Sequence, residues 1–111
     1  MKTQITVTWS AFDNRIVLTD LKPSQSVSIE LDLPAGMFDY EICDLLFADT
    51  NCYQGLTWNA INAAGLPESR THTALSVGDT VRIQRNRDNS LYRCEDTGWE
   101  LLTFSLDGIE A

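Results

Sequence analysis

The sequence predicts an α+β domain: a mainly antiparallel twisted sheet, two helices packed against it, and a C-terminal β-meander. Three observations carry that expectation. Polar and apolar residues alternate in segments near both ends of the chain, the period of a half-buried strand. Two stretches between them repeat their apolar residues at helical spacing. Gly, Pro, Asn and Asp stand at the junctions, where turns need them. A length of 111 residues leaves room for one hydrophobic core, hence a single domain over residues 1–111.

In chain order, Ile5, Val7 and Trp9 alternate with Thr6 and Thr8, which predicts a strand with one buried face. Asp13-Asn14 reads as a turn and residues 15–19 as a β-branched second strand, making a hairpin with the first. Lys22-Pro23-Ser24 then breaks the chain. Residues 26–33 give the cleanest strand: Val27, Ile29, Leu31 and Leu33 face one way and Ser28, Glu30 and Asp32 the other, until Pro34-Ala35-Gly36 stops it.

The first helix is predicted over residues 37–48. Asp39 and Glu41 lie in its first turns, where the helix dipole favours negative charge. Phe38, Ile42, Leu45 and Leu46 form one apolar stripe. Tyr40, Cys43 and Phe47 lie on a different side, near Glu41 and Asp44. Either the helix is buried on both sides, or the second stripe is a partner surface rimmed by acid.

Asp49-Thr50-Asn51 and Gln54-Gly55 mark a loop. A short helix over residues 57–64 follows, with Thr57 as N-cap, Trp58 and Ile61 as apolar contacts, Gly65 as its stop and Pro67 beyond. Glu68-Ser69-Arg70-Thr71 is a polar connector. Ser76-Val77-Gly78-Asp79 turns into a strand over residues 80–85, with Val81 and Ile83 inward. Residues 86–90 are rich in turn formers and read as a loop. Residues 91–94 return, Asp96-Thr97-Gly98 turns again, and residues 99–106 form the last strand, with a frayed tail after Asp107. The meander can curl towards a partial barrel. Core packing is the expectation for Trp9, Trp58 and Trp99.

Composition narrows the function classes. Hydrophobic residues at 43% and charged residues at 22% are globular proportions, which argues against wholesale disorder. No apolar run approaches the roughly 20 residues of a membrane helix. The alternating N-terminus lacks the continuous apolar stretch of a signal peptide, so a cytoplasmic location is expected, in the host cell if the protein is phage-encoded. Cys43, Cys52 and Cys94 are an odd count without ligand spacing, and His72 is the only histidine. Ordinary thiols are expected, with no metal and no cofactor.

The net charge of −8 is unevenly laid out. Residues 23–69 contain seven acids, Glu30, Asp32, Asp39, Glu41, Asp44, Asp49 and Glu68, and no Lys or Arg. In residues 70–93 the sign reverses: Arg70, Arg82, Arg85, Arg87 and Arg93 outnumber Asp79 and Asp88. From Cys94 onward the chain is acidic again. A field of this sign repels a phosphate backbone, disfavours direct nucleic-acid binding, and attracts a basic surface.

Catalytic signatures are thin. A cysteine nucleophile needs a histidine base, and only His72 could serve. Glu41 with Asp44, and Glu30 with Asp32, read as solvated faces rather than acid–base pairs. The glycines stand singly, and no phosphate-binding loop occurs. Arg82, Arg85, Arg87 and Arg93 could form a basic patch beside Tyr92 or Trp99, suited to single-stranded nucleic acid. They equally suit an edge that deters sheet-to-sheet aggregation.

One stretch carries a resemblance. His72-Thr73-Ala74-Leu75-Ser76-Val77-Gly78-Asp79-Thr80-Val81, then Tyr92-Arg93-Cys94 and Gly98-Trp99, resembles a group of small uncharacterised proteins of phages, plasmids and integrative elements. Leu45-Leu46-Phe47, Thr50-Asn51 and Trp58 fit the order of segments in that group, and the resemblance spans roughly residues 44–102. It implies a mobile-element setting and supplies no catalytic residue. Together with the acidic half, it leads to the expectation of a non-enzymatic accessory protein. That protein would bind and inhibit a host defence complex of anti-CRISPR or anti-restriction type. The partner expected is a host protein or nucleoprotein complex with a basic surface, met by Asp39, Tyr40, Glu41, Asp44, Phe47 and Asp49. The alternative is an adaptor or regulatory module that contacts nucleic acid through the arginine-bearing hairpin.

Overall fold

The computed structural model describes residues 1–9, 26–66 and 73–106. The elements are β1 (Lys2–Thr8), β2 (Ser26–Asp32), α1 (Asp39–Cys52), α2 (Leu56–Ala64), β3 (Thr80–Arg85), β4 (Asp88–Glu95) and β5 (Gly98–Leu106). The architecture is α+β. Among the described residues one open five-stranded sheet runs in the order β2-β1-β3-β4-β5, every pairing antiparallel. β3, β4 and β5 form the C-terminal meander.

The alternation read in the sequence sets the faces. Rows of cross-strand neighbours such as Val27–Val7–Val81–Tyr92 and Ile29–Ile5–Ile83 lie on the face beneath the helices. Ile42, Cys43 and Leu46 from α1 and Ile61 from α2 close the core over them. On the opposite face β1 and β2 are polar, with Thr6 and Thr8 meeting Ser28 and Ser26 through hydroxyl–hydroxyl hydrogen bonds of 2.9 and 2.7 Å, while β4 places the buried Leu91 there. No helix among the described residues is long and apolar enough to cross a membrane.

The structure departs from the sequence reading at several points. β1 lies inside the sheet between β2 and β3, because its two neighbours supply the apolar rows that complete its buried face. The expected hairpin at Asp13-Asn14 and residues 15–19, the Glu68-Ser69-Arg70-Thr71 connector with Pro67, His72, and the tail from Asp107 lie outside the described residues. α1 runs on to Cys52, past the residues read as a loop. Thr50 sits on its buried side with its hydroxyl donating to the Leu46 carbonyl at 2.7 Å. The β3–β4 connection is shorter than expected, because Asn86 adopts φ 51 and turns the chain tightly, so β4 begins at Asp88.

The N-cap of α2 is Gly55, not Thr57. Thr57 is buried, and both its N–H and its hydroxyl donate to Asp49 Oδ2, at 3.0 and 2.9 Å. Asp49 therefore ends one helix and starts the next. Its carbonyl accepts from the C-cap Tyr53 and from Gln54, while its carboxylate caps α2. Gly55 has φ 107, and a Cβ there would lie 2.5 Å from the Asp49 carboxylate. Both facts require glycine.

Segment 73–79 is tied in by polar contacts. Trp9 Nε1 donates to the Thr73 carbonyl at 3.1 Å, and Thr73 Oγ1 donates to the Thr50 carbonyl at 2.9 Å. Asp79 Oδ2 accepts from the Ser76 N–H at 2.8 Å, which holds the Ser-Val-Gly-Asp turn that feeds β3.

Candidate functional site

Residues 39–49 form the rigid helix on which the sequence placed its partner-binding set, and the structure divides that set by role. Ile42, Cys43, Leu46 and Thr50 point into the core. The helix is thus buried on one side only, and Cys43 belongs to the core, where burial, with Asp39 and Asp44 nearby, pushes its thiol far up. Tyr40, Asp44 and Phe47 are exposed and spaced four and three residues apart, so they make one outward stripe. Phe38, assigned by spacing to the buried stripe, is 73% exposed. Its N–H donates to Glu41 Oε1 at 2.8 Å, so Glu41 closes the first turn of the helix.

Asp39 sits where α1 meets the sheet. Its Oδ2 accepts a 2.9 Å hydrogen bond from the Tyr92 hydroxyl. Tyr40 stands edge-on to the Tyr92 ring, 5.3 Å between centroids at 65°. Burial, then the Asp39 carboxylate, pushes the Tyr92 phenol well above its ordinary range, so the hydroxyl stays a donor. A cleft of about 420 Å³ opens beside this pair, lined by Phe38, Asp39, Tyr40, Tyr92, Arg85 and Asp88 among others. The charged side chains in its lining are Asp39, Asp88 and Arg85.

Asp39, Glu41 and Asp49 thus have partners inside the fold, and Tyr40, Asp44 and Phe47 present their side chains to solvent. Tyr53 and Leu56, 53% and 52% exposed at the α1–α2 junction, lengthen the apolar surface and were missed. Leu56 opens α2 out of phase with the inward Thr57 and Ile61, which leaves it exposed.

The arginines do not form the patch that the sequence suggested. Arg85 points to the helix side of the sheet and is buried, because the loop between β2 and α1 needs donors there. Its guanidinium donates to the Pro34 carbonyl at 2.6 Å and to the Met37 carbonyl, and its Nε to Thr3 Oγ1 at 3.0 Å. Arg82 lies on the opposite face and donates to Asn89 Oδ1 at 2.7 Å. Arg93 shares that face and pairs with Glu95 at 2.6 Å and Glu100 at 3.1 Å. Arg87 is exposed in the β3–β4 turn. β3 is an inner strand, so these residues do not line an edge.

Cys94 is buried and its thiol is also raised, chiefly by burial, whereas Cys52 is exposed. Neither buried thiol is poised as a nucleophile. Among the described residues no group of three or more His, Cys, Asp or Glu side chains lies close enough to hold a metal ion. The outward side of α1 thus carries the rings of Tyr40 and Phe47 with the carboxylate of Asp44 between them.

No protein-family model matches the chain, and no curated protein or solved structure shows significant similarity to it.

Proposed function

We propose that this chain is a mobile-element accessory protein that acts by binding. Its target in this reading is a host defence nucleoprotein complex of CRISPR-effector or restriction type, met through the exposed face of α1. The observation that carries the reading is the stripe of Tyr40, Asp44 and Phe47, standing out of a helix whose other side is fixed in the core. Exposed aromatic side chains on a rigid element bury large area at little entropic cost, which is why they anchor interfaces. The surrounding stretch, residues 23–69, has no Lys or Arg, so its field favours a basic partner and speeds encounter with one. Complexes that handle nucleic acid expose such surfaces in order to hold phosphates.

The test is a phage-plating assay in cells carrying one defined CRISPR or restriction system at a time, with and without this protein. Wild type should restore plating against at least one system. A variant combining Tyr40→Ala, Asp44→Lys and Phe47→Ala should lose that effect while keeping its circular dichroism. Undiminished defence across the panel, or full activity of the triple variant, would overturn the reading. No observation favours the nucleic-acid alternative, since Arg85 is buried and Arg93 is neutralised.

A further inference from the structure

The two edges of the sheet are treated differently. β2 carries Glu30 and Asp32 outward and has α2 packed against it, the usual defences of an edge strand. β5 has neither. Among the described residues no strand pairs with its outer side, and its nine residues hold a single charged side chain, Glu100, already paired with Arg93.

The register between β4 and β5 shifts at Leu91/Tyr92, so that Leu91 faces Thr103 and Tyr92 faces Leu101, with Leu102 as the extra residue. That bulge brings Leu101 and Phe104, three apart, to the same face. Leu101 lies opposite Tyr92 and Phe104 opposite Ser90, both on the helix side of the sheet. On this face the core extends to Tyr92 and, on β5, to the partly buried Trp99, while Leu101 and Phe104 remain 45% and 55% exposed. The bulge is the only edge-protecting device on this strand among the described residues, and it leaves two apolar side chains exposed on one face beside unpaired backbone groups.

We infer that β5 pairs antiparallel with β5 of a second copy of this chain, giving a continuous ten-stranded sheet across a two-fold axis between positions 102 and 103. The sequence of the strand is self-complementary in that register. Leu101 falls opposite Phe104 of the other copy and Phe104 opposite its Leu101, while Glu100 meets Ser105 on the polar face. A two-fold interface requires such self-matching.

Charge selects the same occupant. Two chains of net charge −8 repel, and the repulsion is least where a long segment carries one neutralised acid. A basic partner would find little to attract it at β5 and much more at α1. In size, a nine-residue strand runs about 30 Å, so the paired edges bury on the order of 1,000 Å² in total, the low end for a specific interface. The dimer is therefore expected to be concentration-dependent. This inference stands independently of the α1 reading.

Sedimentation equilibrium over a concentration series should show the mass rising from one chain towards two. Leu101→Glu and Phe104→Glu, at exposed positions the fold tolerates, should each hold the protein at the mass of one chain with unchanged circular dichroism. Hydrogen exchange on the unaltered protein gives a second reading, with amides of β5 becoming protected as concentration rises. A wild-type chain that stays single throughout would overturn the proposal. A dimer that survives both substitutions, or that leaves β5 exchange unchanged, would overturn it too.

Discussion

Asp49 shows how much one side chain can decide. The sequence marks it as a surface acid for a partner, yet its carboxylate holds the start of α2 by accepting from both the N–H and the hydroxyl of Thr57. Replacing it by Ala should lower stability by about 1–2 kcal/mol, read as a shift in the urea midpoint. Gly55→Ala should cost about 1–3 kcal/mol, from the positive φ and the crowded carboxylate together. In the Asp49→Ala background that cost should fall, because one of its two causes is gone, and a double-mutant cycle measures the coupling. Arg85→Met would strip donors from the Pro34 and Met37 carbonyls, with an expected loss of about 2–4 kcal/mol in the same assay. Tyr92 gives a pH signature. Its phenol is raised in the folded state, so up to the unfolded value of about 10 both states keep the proton and stability is unaffected. Above that pH the unfolded state releases the proton first and stability falls. Tyr92→Phe should flatten this alkaline slope in denaturation curves.

At the scale of the element, α1 is the clearest instance of a pattern legible in part. Helical spacing marks two stripes, and the structure buries parts of both, Ile42 and Leu46 from one and Cys43 from the other. The buried arc is centred between them. A periodic pattern fixes which residues share a side, but the packing partner fixes which side is inward. Tyr40 and Phe47 stay out: Phe47→Ala should change stability by about 0.5 kcal/mol or less, and Tyr40→Ala by about 1 kcal/mol through its lost edge contact with Tyr92. The loss expected in the plating assay would then be a loss of binding. The same burial predicts thiol reactivity: native protein should label quickly at Cys52 and slowly at Cys43 and Cys94, with all three reacting in denaturant. Mass spectrometry of the alkylated protein reads this directly, and fast labelling of Cys43 would contradict its place in the core.

At the scale of the whole fold, the uneven charge of the chain does not produce one acidic and one basic face among the described residues. The helical side carries Asp39, Glu41 and Asp44, but the opposite face of the sheet mixes Arg82 and Arg93 with Glu30, Glu95 and Glu100. A gel-shift assay with single- and double-stranded DNA at low salt should accordingly show no complex. The sequence by itself determined the fold class, the strands at residues 26–33, 80–85 and 99–106, and the turn at Ser76–Asp79. Each depends on a local period or a local turn preference, which neighbouring residues settle among themselves. Only the tertiary structure decided that β1 lies inside the sheet, that Arg85 is a buried donor, that Asp49 is a cap, and that β5 is an open edge. Those outcomes depend on which distant backbone groups need partners once the chain has collapsed, and Arg85 meets Pro34 across a separation that no local pattern records.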